Sequence, residues 1–187
     1  TENIASSRQT ESAIEKNVGF FEKAPYYKKY TSEFDVYKYS SLTVDQTIDG
    51  VKELLDVGNG GLINYDASKV GSVVALDLFL EEGRKSEYPN VKFQNGSALA
   101  MPFDSNRFDM VLMQNLLHHV IGDSVGESKE LLRKVLSESY RVLKPGGRLL
   151  IVESTVPSWF YFVEAALFPL FLRINPLRHP TTFQYTA

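Results

Sequence analysis

The stretch Leu54-Leu55-Asp56-Val57-Gly58-Asn59-Gly60-Gly61 sets an acid and a glycine cluster directly behind a run of apolar residues. A short apolar run closed by glycines reads as a buried strand entering a tight turn. In an open α/β sheet, ligands bind outside the carboxyl ends of strands near the point where strand order reverses, and glycine lets ligand atoms approach the backbone. The next apolar run, SVVALDLF, carries Asp77 near its end, 19 residues beyond Gly58. A carboxylate there can accept from both hydroxyls of a ribose. Taken together, the two signals favour a nucleotide-like cofactor. Taken singly, each has a plainer alternative: a tight turn without a ligand for Gly58 and Gly60, and a helix N-cap for Asp77.

Outward from this turn the pattern alternates. VKELLDVG, SVVALDLF, NVKFQ, FDMVLMQ and GRLLIVES read as five strands. Between the last two, Leu132, Val135, Leu136, Tyr140 and Leu143 mark one face of a long helix from about Glu127, ended by Lys144-Pro145-Gly146-Gly147. Continuous Val, Leu and Ile runs separated by helices predict a doubly wound, mostly parallel sheet covered on both faces. LINYDASKVGS, after the glycines, is a poor helix former, so the first covering helix is expected to be a turn or two. Ahead of the sheet, Thr43-Val44-Asp45-Gln46 has the spacing of a capping box and Gly50 ends that helix. Ile14, Val18 and Phe21 recur at helical spacing in another, from Glu11 to Ala24.

A dinucleotide fingerprint wants a third glycine where Ile63 stands and a helix N-terminus for the pyrophosphate. Asp56, two residues before the first glycine, would repel a phosphate but attract an ammonium group, directly or through water. This points to a nucleoside bearing an amino acid. With LLDVGNGG, VVALDLF, NGSALAMPFDSNRFDMVLMQNLLHHV and RVLKPGGRLLIVE in that order, the chain resembles the class I S-adenosylmethionine-dependent methyltransferases over roughly 51–154. In particular it resembles the ubiquinone and menaquinone methyltransferase group. The resemblance implies a Rossmann-like fold and an enzyme that uses S-adenosylmethionine. It implies that Asp56, Gly58, Asn59 and Gly60 contact the methionyl end of the cofactor, and Asp77 with Leu78 the ribose. Ser97 and Ala98 would border adenine, with Gln114 and Asn115 at the end of the fourth strand beside the cofactor. Two positions depart from the family pattern: Leu62 stands where a further glycine is usual, and Ser97 where an Asp often accepts from the adenine amino group.

Methyl transfer from a sulfonium is an in-line displacement in which positioning the acceptor supplies much of the rate, and a base is needed only when the acceptor must lose a proton. His118 and His119 are the histidines near the expected pocket, and capping or packing of a helix accounts for them equally well, so no catalytic residue is assigned. Adjacent histidines lack joint chelating geometry, and no metal is expected. Asp104 and Asp109 flank the turn SNRF and are expected to cap it.

The 187 residues suit one domain, read as a helical, tyrosine-rich lid over 1–50, a cofactor-binding core over 51–154 and an apolar segment over 155–187. Twenty basic against 23 acidic residues give a net charge of −3 and no basic field for nucleic acid. The absence of cysteine excludes disulfides and thiol chemistry and permits a cytoplasmic setting. Trp159 to Leu172 is too short and too broken by Glu164 and Pro169 to span a bilayer; a wall of the acceptor pocket, peripheral membrane contact and a homo-oligomer contact are its functional readings, and a buried helix covering the sheet is the plain structural one. Resemblance to the family implies a closing strand hairpin that the last residues are too few to form. The expected function is methyl transfer to a small, apolar or aromatic acceptor. The alternatives are a non-catalytic S-adenosylmethionine-binding or interaction module and a nicotinamide-dependent oxidoreductase.

Overall fold

The computed structural model describes residues 40–80 and 83–153, with 162–163 and 166–167. The Glu11–Ala24 helix, the tyrosine-rich segment before residue 40 and most of the apolar tail lie outside the described residues.

Helix α1 (Ser41–Ile48) leads into β1 (Glu53–Val57), followed by β2 (Ser72–Asp77), β3 (Val91–Asn95), β4 (Phe108–Gln114), α2 (Val125–Val142) and β5 (Leu143–Val152). The strands form one sheet in the order β3-β2-β1-β4-β5, and every pairing is parallel. Strand order therefore reverses at β1, whose neighbours are β2 and β4. The ends of these three strands frame the crevice that such a sheet offers a ligand.

Alternation along the central strands divides the core. Leu55, Val57, Val111 and Met113 face Leu131, Val135 and Val142 of α2, whereas Leu54, Met110 and Leu112 join Val44 and Ile48 of α1. Successive side chains of a strand point to opposite faces, so strands buried on both sides read as unbroken apolar runs.

Several expectations are corrected. Helix α1 starts at Ser41, so Thr43 is inside it, where its carbonyl accepts from the Thr47 hydroxyl at 2.6 Å, and the capping box does not form. The connection between β1 and β2 is reduced to a 3-10 turn, Ala67–Lys69, in keeping with its poor helix formers. On α2 the buried face is Ser128, Leu131, Val135, Ser139 and Val142, and Tyr140 is 72% exposed. The serines can be buried because their hydroxyls bond to helix carbonyls, Ser139 to Val135 and Ser128 to Ser124. Lys144 to Gly147 ends no helix at a distance: α2 stops at Val142 and the chain enters β5 at once. Three residues of β4, Phe108 to Met110, lie opposite six of β5, Leu143 to Arg148, so the strand pair is bulged here. Asp109 lies on β4 and caps no loop; it accepts from the Glu53 amide at 2.9 Å and from Lys144 Nζ at 3.1 Å. Lys144 also reaches Glu53 at 2.8 Å, fastening β1, β4 and β5 together at the sheet end opposite the crevice.

Candidate functional site

Gly58, Gly60 and Gly61 follow β1 with φ of 78°, 61° and 75°, in the left-handed region that glycine enters without a Cβ penalty. Their surroundings differ. A Cβ on Gly58 would lie 2.5 Å from Leu116 Cδ1, whereas one on Gly60 would meet nothing within 4 Å. Gly58 therefore answers to packing against the turn after β4, and Gly60 leaves open space beside the backbone. Asn59 holds the turn from inside, accepting from the Gly61 amide at 2.8 Å and donating to the Asp56 carbonyl at 3.2 Å.

Asp77 closes the same arrangement from β2. Its Oδ2 accepts from the Gly60 amide at 2.7 Å and its Oδ1 from the Phe79 amide at 2.8 Å. The bond to Phe79 is a local Asx turn rather than a helix N-cap. Each carboxylate oxygen keeps a further lone pair for a ligand hydroxyl. The Gly96 amide donates to the Asp77 carbonyl at 2.9 Å, extending the β2–β3 ladder so that Ser97 and Ala98 follow beside Asp77. Ser97 Oγ accepts from the Leu99 amide at 3.1 Å. Leu78 and Ala98 are half-buried.

Asp56 is 1% exposed, and the Tyr65 hydroxyl donates to its Oδ2 at 3.0 Å. Burial pushes its pKa up to about 7; the tyrosine bond opposes this and the nearby Asp77 charge adds to it. Burial and the Asp56 charge push the tyrosine up in turn. The expected ammonium contact is thus narrowed, because the carboxyl is enclosed and already bonded. Gln114, buried at the end of β4, donates to Asn64 Oδ1 at 2.7 Å and ties the loop behind the glycines to β4. Asn115 has φ of 51°, and its amide donates to the Val152 carbonyl at 2.8 Å. All ten expected cofactor residues therefore gather at the carboxyl ends of β1 to β4.

Beyond Asn115 the chain forms a short 3-10 turn, Leu117–His119. Glu153, directly after β5, accepts from the Leu117 amide at 2.6 Å and from His118 Nδ1 at 2.9 Å. The His119 ring lies 4.0 Å from that of His118, and burial, then the neighbouring His118, pushes its pKa down to about 3. Glu153, Tyr65 and Asn64 escape a reading by motif alone. A charged residue at the end of the apolar run LLIVE is the signal that finds Glu153. Among the described residues, no three His, Asp or Glu side chains come together so as to hold a metal ion.

Residues 55–151, just over half of the chain, match the methyltransferase domain family, and the chain belongs to the class I S-adenosylmethionine-dependent methyltransferases. It is 34% identical over 137 residues to a demethylmenaquinone methyltransferase of Symbiobacterium thermophilum, covering 66% of this chain and 51% of that protein. To a ubiquinone/menaquinone biosynthesis C-methyltransferase of a Marinomonas species it is 41% identical over 117 residues, 56% of this chain and 43% of the other. The chain spans about half the length of the curated relatives it matches. A Bacillus halodurans crystal structure assigned as a methyltransferase is 30% identical with a TM-score of 0.53, covering 73% of this chain and 60% of that one. The fold is shared with phosphoethanolamine N-methyltransferase 1 of Haemonchus contortus, at 17% identity and a TM-score of 0.61, over 79% of this chain and 33% of that one.

Proposed function

We propose that this domain binds S-adenosylmethionine across the carboxyl ends of β1 to β4 and catalyses transfer of its methyl group to a small apolar or aromatic acceptor. The observation that carries this reading is the Gly60 amide bonded to Asp77 Oδ2 at 2.7 Å, with open space beside Gly60. One bond joins the turn that a ligand backbone can approach to the acid that a ribose needs. In this reading Asp77, with Leu78 beside it, takes the ribose, and Gly58, Asn59 and Gly60 line the methionyl end over the Asp56–Tyr65 pair. Ser97 and Ala98 border the adenine; the Ser97 hydroxyl, which accepts from Leu99, still has a proton to donate to a ring nitrogen. Gln114 and Asn115 flank the reacting end.

The bound cofactor supplies a methyl group on a sulfonium, which an acceptor takes by in-line displacement. The chain's part is to hold the acceptor in line and exclude water. Aromatic or quinone-like acceptors are supported by the names of the menaquinone and ubiquinone relatives. The reading includes a cytoplasmic setting, which a cysteine-free chain permits. Among the described residues no helix is long and apolar enough to cross a membrane. Turnover with a panel of phenols, quinols and amines, beside calorimetry with S-adenosylhomocysteine, tests the proposal. Binding with turnover is expected; binding without turnover of any acceptor would favour the non-catalytic module.

A further inference from the structure

Glu153 has no part in holding the cofactor as proposed above, yet both of its oxygens are committed. Oε1 takes the Leu117 amide and Oε2 takes His118 Nδ1. The residue before that 3-10 turn is Leu116, which offers no side-chain cap, so a carboxylate from the neighbouring strand caps the turn instead. The same turn abuts the glycines, since Leu116 fills the place where a Gly58 Cβ would lie. His118, itself buried, is thereby carried on a short, doubly fastened turn packed beside the glycine turn. A carboxylate can only accept, so in the neutral ring Nδ1 carries the proton and Nε2 keeps its lone pair. Among the described residues, the ionisable groups recorded against the ring are Glu153, directly after β5, and His119 from its own turn. His119 stays uncharged and adds no positive charge that would oppose protonation of His118.

We propose that Glu153 is a positioning residue that fixes His118 as the proton acceptor of the methyl-transfer site, and that the substrate is one whose methylated oxygen or carbon must shed a proton. The inference rests on the proposed methyltransferase reading. As the acceptor atom forms its bond to the methyl carbon, the sulfur–methyl bond breaks and its electron pair stays on sulfur as the thioether. The acceptor's proton passes to His118 Nε2, the resulting imidazolium is stabilised by Glu153, and the proton then leaves to solvent. Phenols, enols and activated carbon acids are the acceptor classes that need this step.

The test uses the full chain with nitrogen-15-labelled histidine, compared with Glu153→Gln and His118→Gln. Two-bond proton–nitrogen spectra are expected to show His118 as the Nδ1–H tautomer, and Glu153→Gln should lose that preference while S-adenosylhomocysteine binding stays within about twofold. With a phenolic or 1,3-dicarbonyl acceptor, Glu153→Gln should lower kcat at least about tenfold with little change in KM, and His118→Gln by about a hundredfold or more. His118 found as the Nε2–H tautomer, or a His118→Gln chain with an unchanged pH–rate profile, overturns the inference. Failure of the unmodified chain to bind S-adenosylhomocysteine instead overturns the cofactor reading beneath it.

Discussion

At Asp77 one carboxylate serves both the fold and the proposed ligand. It fixes the glycine turn through the Gly60 amide and offers its remaining lone pairs to a ribose. Hydrogen bonds to a charged group contribute about 1.5–3 kcal/mol each, so Asp77→Ala should weaken S-adenosylhomocysteine binding at least about tenfold by calorimetry. Asp56 makes the opposite use of a carboxyl. Its folded pKa is raised from 3.8 to about 7, so between these values the folded chain holds a proton that the unfolded chain has released. Stability from this residue is therefore greatest at acid pH and declines as pH rises from about 4 to about 7, then levels. Asp56→Asn keeps an acceptor for Tyr65 without a charge. Thermal melts over this range should show that the variant loses that decline and melts above the unmodified chain at pH 8; identical profiles would show that Asp56 is ionised throughout.

Among the elements, the glycine turn is where backbone and ligand meet. Gly60→Val should abolish S-adenosylhomocysteine binding while most of the far-ultraviolet dichroism survives, because the side chain projects into open space and disturbs one turn. Retained binding would move the site elsewhere. A second clasp holds the segment between β3 and β4, where Arg141 of α2 donates to the Phe103 and Met101 carbonyls at 2.6 and 2.9 Å. Glu138 accepts from the Met101 amide at 2.8 Å. Arg141→Ala should lower stability by about 1 kcal/mol, read from denaturant melts, and leave the dichroism of the sheet intact.

The elements were legible in the sequence where one force decided them. β4 matches FDMVLMQ residue for residue, because its middle, Met110 to Met113, is buried on both faces and reads as an unbroken apolar run. The face of α2 was misread because Ser128 and Ser139 satisfy their hydroxyls within the helix, which composition cannot reveal, while Tyr140 turns to solvent. Glycines in KPGG signal a helix stop and a bulge equally well, so the start of β5 depended on pairing with β4. In the site, Asp56, Asp77 and the glycines stand at strand ends where motif and topology agree. Glu153, Asn64 and Tyr65 act through partners 9 to 50 residues away in sequence, a pairing that only the fold makes visible.

Across the whole molecule the two ends of the sheet divide the work. Asp109, Glu53 and Lys144 fasten the amino ends of the strands, and Asp56, Asp77, Gln114 and Glu153 crowd the carboxyl ends around the reversal in strand order. Substitution at Lys144 should therefore leave cofactor binding unchanged. A ligand that binds only the folded state at a hundred times its Kd adds about 2.7 kcal/mol, enough to raise the melting temperature by several degrees in a chain of this size. The most direct test of the account is calorimetry of S-adenosylhomocysteine, with NADH as the comparison, against the unmodified chain and Asp77→Ala. The account predicts one-to-one binding of S-adenosylhomocysteine, at least about tenfold weaker in the variant, and no binding of NADH. Binding of NADH in place of S-adenosylhomocysteine, or equal affinity of the two chains for S-adenosylhomocysteine, would contradict it.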